Sequence, residues 1–404
     1  MTKRRRTRIL LGVTGSIAAY KAAEIARYFM KRGCVVRTVI SESAEKFISS
    51  LTFESLTGQP VLRSFWEETK PGAIGHIALA DWADGVVVAP ASADCIAKAA
   101  HGFADSPLLA ILLATRAPIV FAPAMNVNMF EHPQTQENID TLRARGVTFV
   151  DPGSGSLACG WKGRGRLADA SEVYSVTMRA LGPHDLIGKR VLISTGPTRE
   201  AIDPVRFISN RSSGKMGVAL AREAYRRGAT VTLVHGPLSP SPRLPTTIHR
   251  VSITSATELR EEMLRRVEDS PDIVIMAAAV ADYRPAQAAS EKIKKSAARR
   301  AIELEANPDI LVEIGERKGG SPKPFLVGFA VETGTPEELV EEVRRKLSRK
   351  NADLMVGNLA QDSFDKDTNR VCLVPRRGDT ISTDTARKSA VARKIFDLIG
   401  DLTK

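Results

Sequence analysis

The chain has 404 residues, 43% of them hydrophobic, which is material for two or three domains with buried cores and excludes disorder as its main state. A formal net charge of +12 favours anionic partners, leaving nucleic acid, a membrane surface and phosphorylated small molecules open. Aromatic residues are only 5%, which weighs against a single-stranded nucleic-acid surface built on stacked bases.

RILLGV reads as an opening strand, followed by a glycine-containing turn and a helical stretch from about Ala18 to Lys31 that ends at Gly33. Its apolar run, Ile9 to Val13, is too short for the hydrophobic region of a signal peptide, and no later segment has the apolar length of a membrane span. CVVRTVI, Gly85–Ala89 and Pro118–Ala122 continue a pattern of short apolar runs separated by helical segments. Such runs predict parallel sheets covered on both faces, with ligands beyond the carboxyl ends of the strands. The pattern pauses at Leu181–Asp185 and restarts with KRVLISTGPTRE from Lys189. Thr195-Gly196 and Arg227-Gly228 then repeat Thr14-Gly15 and Arg32-Gly33. The expected architecture is two doubly wound, Rossmann-like α/β domains with mainly parallel sheets, residues 1–186 and 187–404, the first of them flavodoxin-like. Cys34, Cys95, Cys159 and Cys372 stand far apart with no CxxC pair, which argues against a disulfide scaffold or zinc knuckle and for free thiols in the cytoplasm.

The chemistry of the first half is expected just after its strands. TGSIAAYK places Gly15 and Ser16 at a helix start, where backbone N–H groups hold a phosphate, although the motif lacks GxGxxG and the GK[ST] of a P-loop. APASADCIAK follows GVVV, APAMNVNMF follows PIVF, and GAIGHIALA carries His76. Taken singly, His76 is more often a structural histidine, Asn126 a turn residue and the flanking methionines core. LACGWKGRGRL sets Cys159 in a glycine- and arginine-rich loop that reads as a flap over a substrate.

Together these motifs, over nearly all of residues 6–180, resemble the homo-oligomeric flavin-containing cysteine decarboxylase family. The resemblance implies FMN, with its phosphate near Gly15, Ser16 and Ile17, and with Ser41 and the turn Pro90, Ala91, Ser92 against the same cofactor. It implies His76 as active-site base or orienter, Asn126 as the ligand of the substrate carboxylate and Cys159 as proton donor. Asp94, where many relatives have Asn, and Phe130, where Trp is common, depart from the family pattern.

In the second half, SNRSSGKMG lacks P-loop spacing, yet its Ser/Gly loop leading into a helix at Met216 suits an anion. PDIVIMAAAVADYRP gives a strand and a small-residue turn that lets a base or sugar approach the backbone. EKIKK alone reads as a solvated basic face, and NPDIL as a helix start with Asn307 as cap and Pro308 at the first position. Lys346 and Lys350, four apart, share a helix face. The ordered series SNRSSGKMG, AAAVADYRP, EKIKK, NPDI, GFAVET and KLSRKN resembles phosphopantothenate–cysteine ligase over nearly all of residues 188–400, and the fused chain resembles the bifunctional coenzyme A biosynthesis family.

That resemblance implies CTP contacts at Asp282, Lys292, Asn307, Pro308, Asp309, Ile310, Phe329, Lys346 and Lys350. It makes Asn210 and Lys292 the catalytic pair, with Lys294 not separable from Lys292, and has Mg2+ held mainly by the CTP phosphates. The implied substrates are 4′-phosphopantothenate, L-cysteine and CTP, with trimers of the flavin half and dimers of the ligase half, and with neither nucleic acid nor membrane as partner. Rival readings are a non-enzymatic flavoprotein scaffold, a nicotinamide oxidoreductase, which the missing GxGxxG counts against, and nucleic-acid binding through RRRTR and EKIKK.

Overall fold

A computed structural model describes residues 5–66, 75–156, 160–294, 301–363 and 366–404. The chain divides into two compact units, Met1–Gly182 and Pro183–Lys404. Asp185 and Leu186, next to the boundary expected from sequence, belong to the second unit. There the Leu186 N–H donates to the Arg227 carbonyl at 3.0 Å, and Asp185 pairs with the Arg227 guanidinium at 2.7 Å.

The first unit is a six-stranded parallel sheet of β1 (Arg8–Val13), β2 (Val35–Ile40), β3 (Val61–Leu62), β4 (Gly85–Ala91), β5 (Ile119–Pro123) and β6 (Thr148–Phe149), in the order 3-2-1-4-5-6. This is the Rossmann order; a flavodoxin order would be 2-1-3-4-5, so the narrower flavodoxin-like expectation gives way while the doubly wound class holds. Alternation along the strands builds the two cores. Ile9, Leu11, Val13, Val87 and Ala89 face one, and Leu10, Val86 and Val88 face the other. The helix Tyr20–Lys31 covers the first core with Ala22, Ile25, Ala26 and Phe29, an i, i+3, i+4, i+7 stripe.

The second unit repeats the plan. Its parallel strands Arg190–Pro197, Thr230–His235, His249–Ser252, Ile273–Ala279, Phe325–Glu332 and Leu354–Leu359 lie in the same 3-2-1-4-5-6 order, and Cys372–Pro375 and Ile381–Ser382 extend the edge antiparallel. Val191 and Ile193 face one core and Leu192 the other. The helices Tyr20–Lys31 and Lys215–Arg226 are each followed by a glycine at positive φ, +87° at Gly33 and +99° at Gly228, which is the physical content of the Arg-Gly repeat.

At the carboxyl edge of the second sheet, Gly236 lies so close to the first strand that a Cβ would stand 1.8 Å from the Pro197 carbonyl oxygen. The obstacle is backbone, so no rotamer change relieves it. Gly236→Ala is expected to destabilise the second unit by about 1–3 kcal/mol or more. Gly320→Ala, where nothing lies within 4 Å, is expected to stay within about 0.5 kcal/mol of wild type. Urea melts of the two variants check the contrast, and equal midpoints would contradict the packing argument.

Candidate active sites

In the first unit the strand order reverses between β1 and β4, and the loops leaving them are tied by one hydroxyl. Thr14 Oγ1 donates to the Pro90 carbonyl at 2.7 Å and accepts from the Ser92 N–H at 2.9 Å. The Ala124 N–H donates to the Ala91 carbonyl at 3.1 Å, which adds the end of β5. Ser16 accepts from the Ala18 N–H at 3.2 Å and Ser92 from the Cys95 N–H at 3.2 Å, so each side chain caps the helix it opens.

These ends surround a cavity of about 610 Å³, lined among others by Gly15, Ser16, Ile17, Lys21, Ser92, Met125, Asn126 and Arg166. Its size and mixture of apolar wall and convergent polar groups suit a cofactor-sized ligand. Helix-start N–H groups with Lys21 and Arg166 suit a phosphate, while Ile17, Met125, Met129 and Leu167 offer apolar surface to a flat heterocycle. The residues present therefore fit a phosphorylated flavin.

The Asn126 side chain has a fixed orientation, because its Oδ1 caps the helix Val127–Glu131 by accepting from the Asn128 N–H at 2.8 Å. Its amide nitrogen is thus the donor end, the polarity a carboxylate requires. The glycine-rich hairpin Gly153–Ser156 with Lys162–Arg166 lies tightly against this turn. A Cβ on Gly165 would stand 2.3 Å from the Met125 carbonyl oxygen, and one on Gly163 would stand 2.6 Å from Val127 Cγ2.

Gly15, Ser16, Ile17, Ser92 and Asn126 thus line one cavity. Pro90 supplies the carbonyl that Thr14 takes, Ala91 is fully buried, and the Ser41 hydroxyl caps the helix Glu42–Glu45, so these three support the cavity rather than line it. His76 stands on the helix Gly75–Trp82 with its ring edge-on to Phe65 at 5.1 Å, and it does not line the cavity. Cys159 lies outside the described residues. Sequence reasoning passed over Lys21 and Arg166. The signal for Lys21 was present, since Ile17 and Lys21 are four apart in a helical run.

In the second unit the corresponding reversal lies between Arg190–Pro197 and Ile273–Ala279. Ser194 Oγ accepts from the Ala278 N–H at 3.3 Å and Thr198 Oγ1 from the Ala281 N–H at 3.0 Å. The turn that follows holds two of the expected residues, Asn210 and Asn307, on successive carbonyls. Asn210 Nδ2 donates to Val280 O at 2.7 Å, Asn307 Nδ2 to Ala281 O at 2.8 Å, and the Asn307 N–H to Asp282 O at 2.8 Å. With Arg284 donating to its Oδ1 at 2.9 Å, Asn307 is occupied as a brace. It is therefore not the helix cap expected from NPDIL: Asp309 caps Ile310–Lys318 by accepting from the Val312 N–H at 3.3 Å, and Pro308 precedes the helix.

Phe329 is half-buried on its strand. Lys346 pairs with Glu332, and Lys350 with Asp309 at 3.1 Å, so both lysines are oriented by carboxylates. Lys292 and Lys294 are exposed on either side of Ile293, whose N–H donates to Asp203 Oδ2 at 3.2 Å and whose carbonyl accepts from Arg206 Nη2 at 2.8 Å. Hydrogen bonds from Arg206, joined by backbone N–H donors, hold the Asp203 carboxyl far below the usual carboxylate range, despite the opposing effect of burial. Sequence reasoning missed Asp203 and Arg206, although an Asp followed by Pro and by Arg three residues on is a turn signal. Among the described residues, no three His, Cys, Asp or Glu side chains stand together as a metal site, and no helix is long and apolar enough to cross a membrane.

Residues 1–182 match the Flavoprotein family, and residues 186–402 match the DNA/pantothenate metabolism flavoprotein C-terminal domain. The coenzyme A biosynthesis bifunctional protein CoaBC of Vibrio cholerae is 42% identical over 97% of this chain and 97% of its own. The CoaBC proteins of Bacillus subtilis and Escherichia coli K12 are 41% and 42% identical, covering 98% and 97% of this chain and 97% and 96% of theirs. Among solved structures, a CoaBC C-terminal domain is 40% identical with a TM-score of 0.46, covering 55% of this chain and 98% of its own. The FMN binding protein AtHal3 is 35% identical with a TM-score of 0.38, covering 42% of this chain and 94% of its own. The chain belongs to the family of bifunctional coenzyme A biosynthesis proteins, flavoproteins that join a phosphopantothenate–cysteine ligase and a phosphopantothenoylcysteine decarboxylase in one polypeptide.

Proposed function

We propose that residues 183–404 carry the ligase and use CTP, and that residues 1–182 carry the decarboxylase and use FMN, with the product of the first reaction as substrate of the second. The observation that supports this reading is that each unit brings some of its expected residues to its own strand-order reversal: Gly15, Ser16, Ile17, Ser92 and Asn126 around one cavity, and Asn210 and Asn307 on the Val280 and Ala281 carbonyls.

In the ligase step, the phosphopantothenate carboxylate attacks the α-phosphate of CTP, forming an acyl-cytidylate and releasing pyrophosphate. The cysteine amine then attacks the acyl carbon, forms the amide and expels CMP. Negative charge gathers on phosphate oxygens during activation, so Lys292, with Mg2+ carried by the nucleotide, stabilises it, while Asn210 orients the acyl group. Asp282, Asn307–Ile310 and Phe329 form the nucleotide side, and Lys346 and Lys350 exchange their carboxylates for phosphate oxygens.

In the decarboxylase, Gly15, Ser16 and Ile17 hold the flavin phosphate and Ser92 the flank, with Ser41, Pro90 and Ala91 supporting the loops. FMN, when bound, would take two electrons from the substrate's thiol-bearing carbon, which gives the carbanion left by CO2 an electron sink, and would return them as hydride after CO2 has left, so that hydride and proton together restore the saturated thiol. Asn126 Nδ2 holds the substrate carboxylate, Cys159 donates a proton to the enethiol carbon, and His76 acts as base or orienter. Because His76 does not line the cavity of its own chain, this reading has a neighbouring copy supply it, in trimers around the flavin sites, with the ligase units pairing as dimers. The exposed Ile17, Tyr20 and Met129 at the cavity support such a cover. We place the enzyme in the cytoplasm.

Incubation of the chain with phosphopantothenate, cysteine, CTP and Mg2+ is expected to yield 4′-phosphopantetheine, CO2 and CMP, and ATP in place of CTP is expected to support far less product. Absence of CMP would sink the reading. Asn210→Ala is expected to let acyl-CMP accumulate or to abolish amide formation, and Lys292→Ala to stop activation. Unimpaired amide formation in both variants would refute the pairing. Cys159→Ser is expected to release CO2 but stall before 4′-phosphopantetheine, and a normal final yield would remove Cys159 from its role.

Burial pushes the Cys34 thiol up to about 11 and the Cys95 thiol to about 12, and it also raises that of Cys372, so at neutral pH all three are protonated and poor nucleophiles. Brief iodoacetamide treatment of the native chain is therefore expected to label Cys159 first. Peptide mass spectrometry that found Cys95 labelled as fast would contradict this order.

A further inference from the structure

We propose that Asp203 is a positioning residue for the lysine loop: acting through Ile293, it fixes where Lys292 and Lys294 present their ammonium groups to the reacting phosphate. The inference rests on the ligase reading of the second unit.

The Asp203 side chain has no solvent exposure, although it sits in a short turn between the strands Arg199–Ala201 and Phe207–Ser209. One carboxylate oxygen closes that turn by accepting from the Val205 and Arg206 N–H groups, each at 2.8 Å. The other oxygen accepts from Arg206 Nε at 2.9 Å and reaches 90 residues along the chain to the Ile293 N–H. Arg206, oriented by that carboxylate, returns a hydrogen bond to the Ile293 carbonyl. The backbone of Ile293 is therefore gripped at both polar groups by one ion pair. The Ala289 N–H adds a bond to the Ile202 carbonyl at 2.9 Å, on the same turn.

A turn that needed only to close itself has no use for the second carboxylate oxygen or for burial of the charge. Burying a carboxylate is costly unless its lone pairs are filled, and here they are filled by donors from two segments. What the arrangement accomplishes is to fix the residue between two lysines. A lysine ammonium rides on a flexible four-carbon stem, so its placement against a phosphate depends on where its backbone is anchored. The flanking loop is otherwise exposed at Glu291, Lys292 and Lys294.

The test uses the full chain carrying Asp203→Asn, Ile293→Pro, or both. Asp203→Asn keeps the size and one acceptor oxygen but removes the charge that orients Arg206. Ile293→Pro deletes the N–H that Asp203 holds and leaves the Asp203–Arg206 turn whole. Each single variant is expected to lower kcat for pyrophosphate release from CTP about 10- to 100-fold, with KM for cysteine moving less. Because both act through one tether, the double variant is expected to be no slower than the slower single. Tryptic cleavage of the native protein after Lys294 is expected to accelerate in all three, and decarboxylation of supplied phosphopantothenoylcysteine to remain at the wild-type rate.

Wild-type kcat in both single variants, or losses that multiply in the double, would overturn the proposal by confining Asp203 to its own turn. If Asp203→Asn fails to fold, Ile293→Pro decides alone, and unchanged kcat with unchanged tryptic cleavage overturns the tether. If the wild-type chain releases no pyrophosphate from CTP, the ligase reading falls and takes the catalytic claim with it. The tryptic comparison still judges the tether separately.

Discussion

Both sites depend on how the protein satisfies backbone groups where two parallel strands separate. At the reversal of strand order the first and fourth strands lie side by side, but their chains depart to opposite faces, leaving N–H and C=O groups without ladder partners. Unpaired and dry, each would cost roughly 1–3 kcal/mol. In the first unit one threonine resolves this, with Thr14 Oγ1 donating to Pro90 and accepting from Ser92. In the second unit the work is divided between Ser194 and Thr198, which accept from Ala278 and Ala281. A hydroxyl suits the place because it both donates and accepts within a volume small enough for a packed sheet edge.

This small difference separates the two sites. Thr14 links the loop after the first strand directly to that after the fourth, so the helix start at Ser16 and the cap at Ser92 converge on one cavity. The first strand of the second unit runs on through Pro197, and the antiparallel pair Arg199–Ala201 and Phe207–Ser209 intervenes before the helix at Lys215. That insertion carries Asn210 to the Val280 carbonyl and Asp203 to Ile293. One sheet plan thus gives a pocket in one unit and a strand-and-loop platform in the other.

The sequence disclosed what is local. Apolar runs such as RILLGV and GVVVA marked the strands, and the repeated Thr-Gly and Arg-Gly pairs marked two copies of one plan. Gly15, Ser16 and Asn126 could be named because short motifs carry them. What could not be read was meeting across long separations: nothing near Asp203 announces its bond to Ile293, and nothing near Arg166 announces that it lines the same cavity as Lys21. Asn307 shows the same limit from the other side. Its local context reads as a helix cap, but a tertiary bond to Ala281 claims its amide, and the cap passes to Asp309. His76 was legible as a candidate, yet no feature of its local sequence says that it stands apart from the cavity lined by Gly15, Ser16 and Asn126.

The positive charge has a division of labour that composition alone could not show. Arg227 is buried among Glu223, Asp185 and Asp397, so its charge is spent on bracing the second unit around the helix Lys215–Arg226. Lys318 is likewise buried against Asp353, which also accepts from the Leu326 N–H and so ties a helix to the sheet. Lys21, Arg166 and Lys292, in contrast, have no carboxylate within ion-pair distance among the described residues; Lys21 and Arg166 line the cavity of the first unit, and Lys292 is exposed in its loop. A cation left without a carboxylate keeps its full attraction for a phosphate, whereas a paired one must first give up its partner. On the proposed reading, Lys346 and Lys350 must give up Glu332 and Asp309 to take a nucleotide phosphate at each turnover, whereas Lys292, Lys21 and Arg166 meet their phosphates with no carboxylate to give up.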